Sequence, residues 1–269
     1  MKKVAVSILL SLMVFSGNLV FSQDFEVAPV DIDFSVEPGE SDFRIVYVTN
    51  HSNKKASFLL SMADFIMDER GEAQEAPAGT TDRSCANWLT ISPSFFDLNP
   101  NERQEVMVSI LVPKDDYSTR WARVFVRTTE EQTAFSADKN LVAGIIISPR
   151  ITIRITQSPQ SNKNYAGRIG GMKEFKKEDA NPGDRFFKTT VRNTGDKIAR
   201  SRAFLIATNM ETEEETTYPD FRFQLYPGSS REVELHLPAG LTPGKYALSA
   251  ILDLGHGTLQ GTQMIIDVP

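Results

Sequence analysis

Three histidines, one cysteine and a scatter of arginines are the side chains through which this chain could do chemistry. Histidine binds zinc only where further ligands stand at suitable spacing. His51 falls in a polar turn, His236 in a β-rich run and His256 between two glycines, and none has a partner at ligand spacing. Glycine on each side of His256 allows positive φ, so that residue reads as part of a hairpin turn. No Gly-x-Ser-x-Gly elbow is present, so acyl transfer of that type is excluded. Gly167-Arg168-Ile169-Gly170-Gly171 lacks the flanking strand and helix that a phosphate loop needs. Glu211 to Glu215 reads as a solvated hairpin tip, because a calcium loop would need convergent oxygens. The expectation is therefore of no enzyme, no cofactor and no metal.

What remains is the chemistry of main-chain edges and apolar side chains. From Gly144 to Ile155, isoleucines recur at Ile145 and Ile147, then at Ile151, Ile153 and Ile155, with Arg150, Thr152 and Arg154 on the opposite face of the later stretch. Such a strand at a sheet edge can pair with a partner's extended strand, its N–H and C=O groups giving affinity and alternate side chains filling the partner's groove. The partner-binding candidates are thus Ile145, Ile147, Ile151, Ile153 and Ile155. The same alternation fits a strand whose isoleucines fill the core of their own domain. Arg120 and Arg123 flank Trp121, and Arg150 and Arg154 lie on the isoleucine strand; these four are the candidate basic contacts. Trp88 and Trp121 read as core anchors rather than an exposed platform. Asn50-His51-Ser52 matches a glycosylation acceptor, but turn chemistry accounts for it better. Cys85 stands alone, so no internal disulfide can form and it reads as a small buried apolar residue.

The elements that must position these residues come in two copies. Pro38-Gly39-Glu40 leads through Phe43–Val48 to Asn50, and Pro182-Gly183-Asp184 leads through Phe186–Val191 to Asn193. Leu98-Asn99-Pro100 before Glu105-Val106 is matched by Leu225-Tyr226-Pro227 before Glu232-Val233, and Val112-Pro113 before Trp121-Ala122 by Leu237-Pro238 before Tyr246-Ala247. Each unit is a proline turn followed by a β-rich run. The sequence predicts an all-β protein of two tandem immunoglobulin-like sandwiches, residues 24–156 and 165–269, joined by a polar linker at 157–164.

The N-terminus carries Met1-Lys2-Lys3, an apolar run of about 12 residues from Val4 to Phe15, and Val20-Phe21-Ser22. That run is shorter than the roughly 20 residues needed to span a bilayer, and the pattern predicts a signal peptide over 1–22 with a periplasmic or secreted mature chain. The formal net charge of −6 gives no support to nucleic-acid binding.

Glu37-Pro38-Gly39-Glu40, Asn50-His51-Ser52, Asn87-Trp88-Leu89, Ser92-Pro93 and Leu98-Asn99-Pro100 before Gln104-Glu105-Val106 form an ordered set over roughly residues 25–156. This set resembles the N-terminal immunoglobulin-like domain of the periplasmic pilus-chaperone (PapD-like) superfamily, and it is similar to the immunoglobulin-like region of WxL-interacting envelope proteins. The resemblance implies a chaperone-like protein that binds an envelope or pilus-type subunit by β-strand addition. It also implies a basic pair in the cleft between domains that holds the subunit's terminal carboxylate, although neither arginine set falls on a family motif. The other reading is a structural or adhesive envelope component whose sandwiches serve as spacers and docking surfaces.

Overall fold

The structure, a computed structural model, describes residues 24–129, 149–257 and 259–269. The expected signal peptide, and Ile145 and Ile147, lie outside the described residues.

The first half runs through β1 (Phe25–Ala28), β2 (Asp31–Phe34), β3 (Ser41–Asn50), β4 (Ala56–Met67), β5 (Ala73–Pro77), β6 (Leu89–Ser92), β7 (Phe95–Leu98), β8 (Arg103–Leu111), β9 (Arg120–Thr129) and β10 (Arg150–Gln157). One sheet has the order β1-β3-β8-β6, and the facing sheet the order β2-β10-β9-β4-β5 with β7 also on β4. The chain changes sheets between β1 and β2 at Pro29, which has no N–H to continue a ladder. Between the sheets lies a core built on Phe25, Phe34, Phe58, Val46, Val108 and Ile153. Burying each large side chain contributes about 1.5–3 kcal/mol.

The second half runs through β11 (Gly167–Ile169), β12 (Lys173–Phe175), β13 (Arg185–Asn193), β14 (Ala199–Asn209), β15 (Glu215–Thr217), β16 (Phe221–Leu225), β17 (Ser230–Leu237), β18 (Gly244–Asp253) and β19 (Leu259–Val268). Its sheets have the orders β11-β13-β12 with β17 on β13, and β15-β14-β18-β19 with β16 on β14. Phe187, Leu205, Leu235, Leu248 and Leu252 pack its separate core. The protein is two stacked β-sandwiches, as the duplicated turn-and-strand pattern predicts.

The repeats are the same structural pieces. Gly39 and Gly183 turn the chain at φ of 85° and 89°, a region open to glycine at no steric cost. β3 pairs with β8 as β13 pairs with β17, and β9 with β10 as β18 with β19.

Three stretches of the first sandwich shape the site, and the third corrects the expected start of the linker. β4 runs twelve residues, from Ala56 to Met67, and carries Phe65 beyond the first core. The run from Cys85 to Pro93 is not one strand: Ala86–Trp88 is a 3-10 turn before β6. There the Ser84 hydroxyl donates to Asp64 at 2.7 Å and accepts the Ala86 N–H at 3.0 Å, a side-chain bond that competes with strand pairing. Gln157, expected to open the linker, ends β10 and is wholly buried. Its amide donates to the Val36 carbonyl at 2.6 Å and accepts the Val36 N–H at 3.2 Å.

Candidate functional site

β10 is a full member of its sheet on one side only. Along its whole length it pairs antiparallel with β9. On its other side β2 runs parallel to it from Arg154 to Gln157, so Arg150–Ile153 has no strand neighbour there among the described residues. The direction of the free groups follows from one bond. Arg154 N–H donates to the Val30 carbonyl on the β2 side at 2.8 Å. Main-chain groups alternate in direction along a strand, so Arg150 and Thr152 present their N–H and C=O to the same open side.

The isoleucines of this strand face inward. Ile153 and Ile155 are wholly buried in the first core, and Ile151 packs against that core. Their side chains fill their own domain, which is the second of the two readings that the alternation allowed, while the strand's edge is defined by its backbone.

The opposite face collects three of the four candidate arginines. Arg154 and Arg123 stand directly across from one another on β10 and β9, with Arg150 two pleat repeats away along β10. Arg154 donates to Asp31 at 2.8 Å and, across to the second sandwich, to Gln224 Oε1 at 2.9 Å. Arg150 pairs with Glu75 at 2.7 Å and lies 4.1 Å from the Phe125 ring centre. Arg123 lies 4.2 Å over the Phe65 ring, and its Nε is buried without a hydrogen-bond partner. Burial pushes the Arg123 guanidinium below the usual arginine range, because a charged group leaves water at a cost. Arg120, the fourth candidate, is elsewhere: it is bonded to Asp116 at 2.5 Å and to the carbonyls of Asp82 and Ser84, over the Trp88 ring. Those partners make it a tie between loops.

Beside these arginines, a groove of ≈ 450 Å³ opens over the face of the first sandwich, lined by Ser61, Met62, Glu75, Phe125, Arg127 and Arg150. The second sandwich closes one end of the face. Phe65, Trp121 and Tyr226 form an aromatic cluster between the halves, with the Trp121 and Tyr226 rings edge-on at 5.0 Å. Trp121 therefore anchors the junction between the sandwiches and not the inside of either, and Trp88 is half-buried against the first core. Burial raises the Tyr226 hydroxyl above its ordinary range, opposed by the neighbouring Arg154.

Sequence reasoning missed Tyr226, Gln224, Phe65, Asp31 and Glu75. A signal for Tyr226 was there: it replaces Asn99 in the otherwise matched Leu-x-Pro turns, an aromatic where its copy has a turn-forming residue. Asp31 and Glu75 carried none, since charged residues in strands and turns are common on any surface.

The other candidates sit as turn and core residues. Asn50 is wholly buried, which leaves no room for a glycan. His256 has φ of 56° between two positive-φ glycines. Cys85 is buried and its thiol is pushed up to about 12, by burial first and then by Asp64. Among the described residues no group of three metal-binding side chains occurs, and no helix is long and apolar enough to cross a membrane.

The arrangement of two tandem β-sandwiches is a fold also seen in solved structures of fimbrial chaperones. In particular, the chain is similar to the structure of a chaperone–tip adhesin complex of CFA/I fimbriae, with a TM-score of 0.53 at 16% identity over 89% of this chain and 98% of the other. It is also similar to the class 5 fimbriae chaperone CfaA, with a TM-score of 0.50 at 14% identity over 91% of this chain and 99% of the other. Likeness at this identity is a likeness of fold. No family model and no curated protein matches the chain.

Proposed function

We propose that this protein is an exported, non-enzymatic chaperone-like protein that holds an envelope or pilus-type subunit by adding the subunit's extended strand to the open edge of β10. The observation that carries this reading is the half-paired strand: Arg150 and Thr152 turn main-chain donors and acceptors to a side that β2 does not reach and where no other strand lies among the described residues, which suits β-strand addition. The arginine face supports it. In a chain of net charge −6, Arg123, Arg150 and Arg154 gather beside that edge, and Arg123 holds a buried donor free. Arg123 and Arg154 are the pair we assign to a partner's terminal carboxylate, since they face each other in register and a guanidinium fork matches a carboxylate. The predicted signal peptide supports a periplasmic or secreted location.

The test uses a backbone change that spares the sandwich. The Thr152 N–H points away from β9, so Thr152→Pro removes an edge donor and no internal ladder bond. The tagged protein is purified from cell envelopes, its captured subunit is identified by mass spectrometry, and that subunit is titrated back. Thr152→Pro should bind about fivefold more weakly, as expected for one net hydrogen bond, with an unchanged melting curve. Capture of no envelope protein beyond background, or equal binding by Thr152→Pro, sinks the reading.

A further inference from the structure

β19 holds in the second sandwich the place that β10 holds in the first, pairing antiparallel with the strand before it. The two differ on their far sides. β10 is half covered by β2, whereas β19 ends its sheet with no strand beyond it among the described residues. One bond fixes the phase of its open groups. Met210 N–H donates to the Lys245 carbonyl at 2.9 Å, so Lys245 turns toward β14, and by alternation Ala247, Ser249, Ile251 and Asp253 do the same. Their partners on β19 are Asp267, Ile265, Gln263, Gly261 and Leu259. Those five residues therefore turn N–H and C=O outward from the sheet; the carbonyls at the two ends accept side chains, Asp267 from Arg185 at 3.0 Å and Leu259 from Gln260 at 3.0 Å, so the stretch from Gly261 to Ile265 is the part a second strand would meet. All five are exposed, Leu259 by 60% and Ile265 by 62%.

Strand edges are ordinarily guarded by proline, lysine, inward charges or a covering segment. β19 contains no proline, lysine or arginine, and its single charged residue, Asp267, lies near one end. We propose that β19 pairs antiparallel with β19 of a second copy of this chain, about a two-fold axis at Gln263, so that two sheets become one. The register follows from self-complementarity. With Gln263 opposite itself, Gly261 lies opposite Ile265 of the second copy, and Leu259 lies opposite its Asp267. Gly261 has no side chain, and Ile251 borders the vacant position, its Cδ1 lying 3.3 Å from where a Cβ would stand. The exposed Ile265 of the other copy fills that notch and extends the row of Phe204, Ile251 and Gly261 across the sheet. A slip of two residues would set the notch against Asp267 and place Ile265 beside Gln263. The two Asp267 carboxylates fall at opposite ends of the pairing, so no like charges meet. This inference does not depend on the role of β10.

Light scattering on the purified protein over a wide concentration range tests it. The expected result is a concentration-dependent dimer that Ile265→Lys converts to a monomer without changing the melting curve, since Ile265 is exposed. Gln263→Cys should be joined to a covalent dimer by a short bis-maleimide. Leu259→Cys should not, because the two Leu259 residues lie at opposite ends of the pairing. The native Cys85 is buried and does not interfere. A protein that is monomeric throughout, with or without an unrelated strand bound at β19, overturns the proposal. So does a dimer that survives Ile265→Lys or that links through Leu259→Cys as readily as through Gln263→Cys.

Discussion

Asn50 ends β3 with its side chain donating to the carbonyls of Lys54 at 2.8 Å and Leu98 at 3.1 Å, while its Oδ1 accepts the Ser52 N–H at 3.0 Å. Asn193 ends β13 in the same way, donating to Lys197 and Leu225 at 2.8 Å each and accepting the Gly195 N–H at 2.9 Å. Each side chain thus closes one turn and ties it to the Leu-x-Pro turn that follows in the repeat. Both asparagines are buried, so truncation strands main-chain groups away from water. Asn50→Ala and Asn193→Ala should each destabilise their own sandwich by about 2–4 kcal/mol, from the cost of unmade buried hydrogen bonds, read as a lowered denaturant midpoint. A loss within the few tenths typical of a surface change would show that water or a neighbour replaces the amide.

The elements separate backbone edges from side-chain faces. In β10 the isoleucines belong to the core and the edge is a matter of main-chain direction. Ile153→Asp should therefore unfold the first sandwich, because an unpaired carboxylate replaces a wholly buried isoleucine. Thr152→Pro, one residue away, should leave it folded. Circular dichroism melts of the two variants decide the matter: a folded Ile153→Asp protein would mean that the strand is loosely held. The alternation of Ile151, Ile153 and Ile155 announced a strand with one apolar face, but an apolar face reads the same whether it meets its own core or a partner's groove. Only the position of β2 and the burial of Ile153 distinguish the two.

At the scale of the molecule, one carboxylate holds the two sandwiches together at the hinge. Asp196, in the turn between β13 and β14, accepts from the Arg83 guanidinium, from Thr119 N–H at 3.0 Å and from the Asn162 amide at 2.7 Å. The first two belong to the first sandwich and the third to the connecting segment, which is thereby tied down instead of free. On the other side, the turn between β4 and β5 reaches β17, where the Glu232 N–H donates to the Glu69 carbonyl at 2.8 Å. The aromatic cluster of Phe65, Trp121 and Tyr226 lies between these ties. Asp196→Ala should leave both sandwiches folded while loosening their relation: small-angle scattering should show a broader range of sizes, and Trp121 fluorescence should shift to the red as its ring meets water. An unchanged scattering curve would assign the rigidity to the aromatic cluster and the remaining ties, Glu232 to Glu69 and Arg154 to Gln224.

The all-β class, the duplication and the turns are legible in the order of the residues. Proline, glycine and asparagine act locally, and two-residue alternation is written directly in the order of the residues. The same order shows that Arg150, Thr152 and Arg154 share a face. Packing in three dimensions brings Arg123 to them and takes Arg120 away, puts Trp121 between the sandwiches, covers β10 along half its length and leaves β19 with no strand beyond it among the described residues. Those facts depend on which strand lies beside which. Strand neighbours far apart in sequence, such as β2 and β10, are chosen by the packing of the whole sandwich and leave no mark in the spacing of either segment.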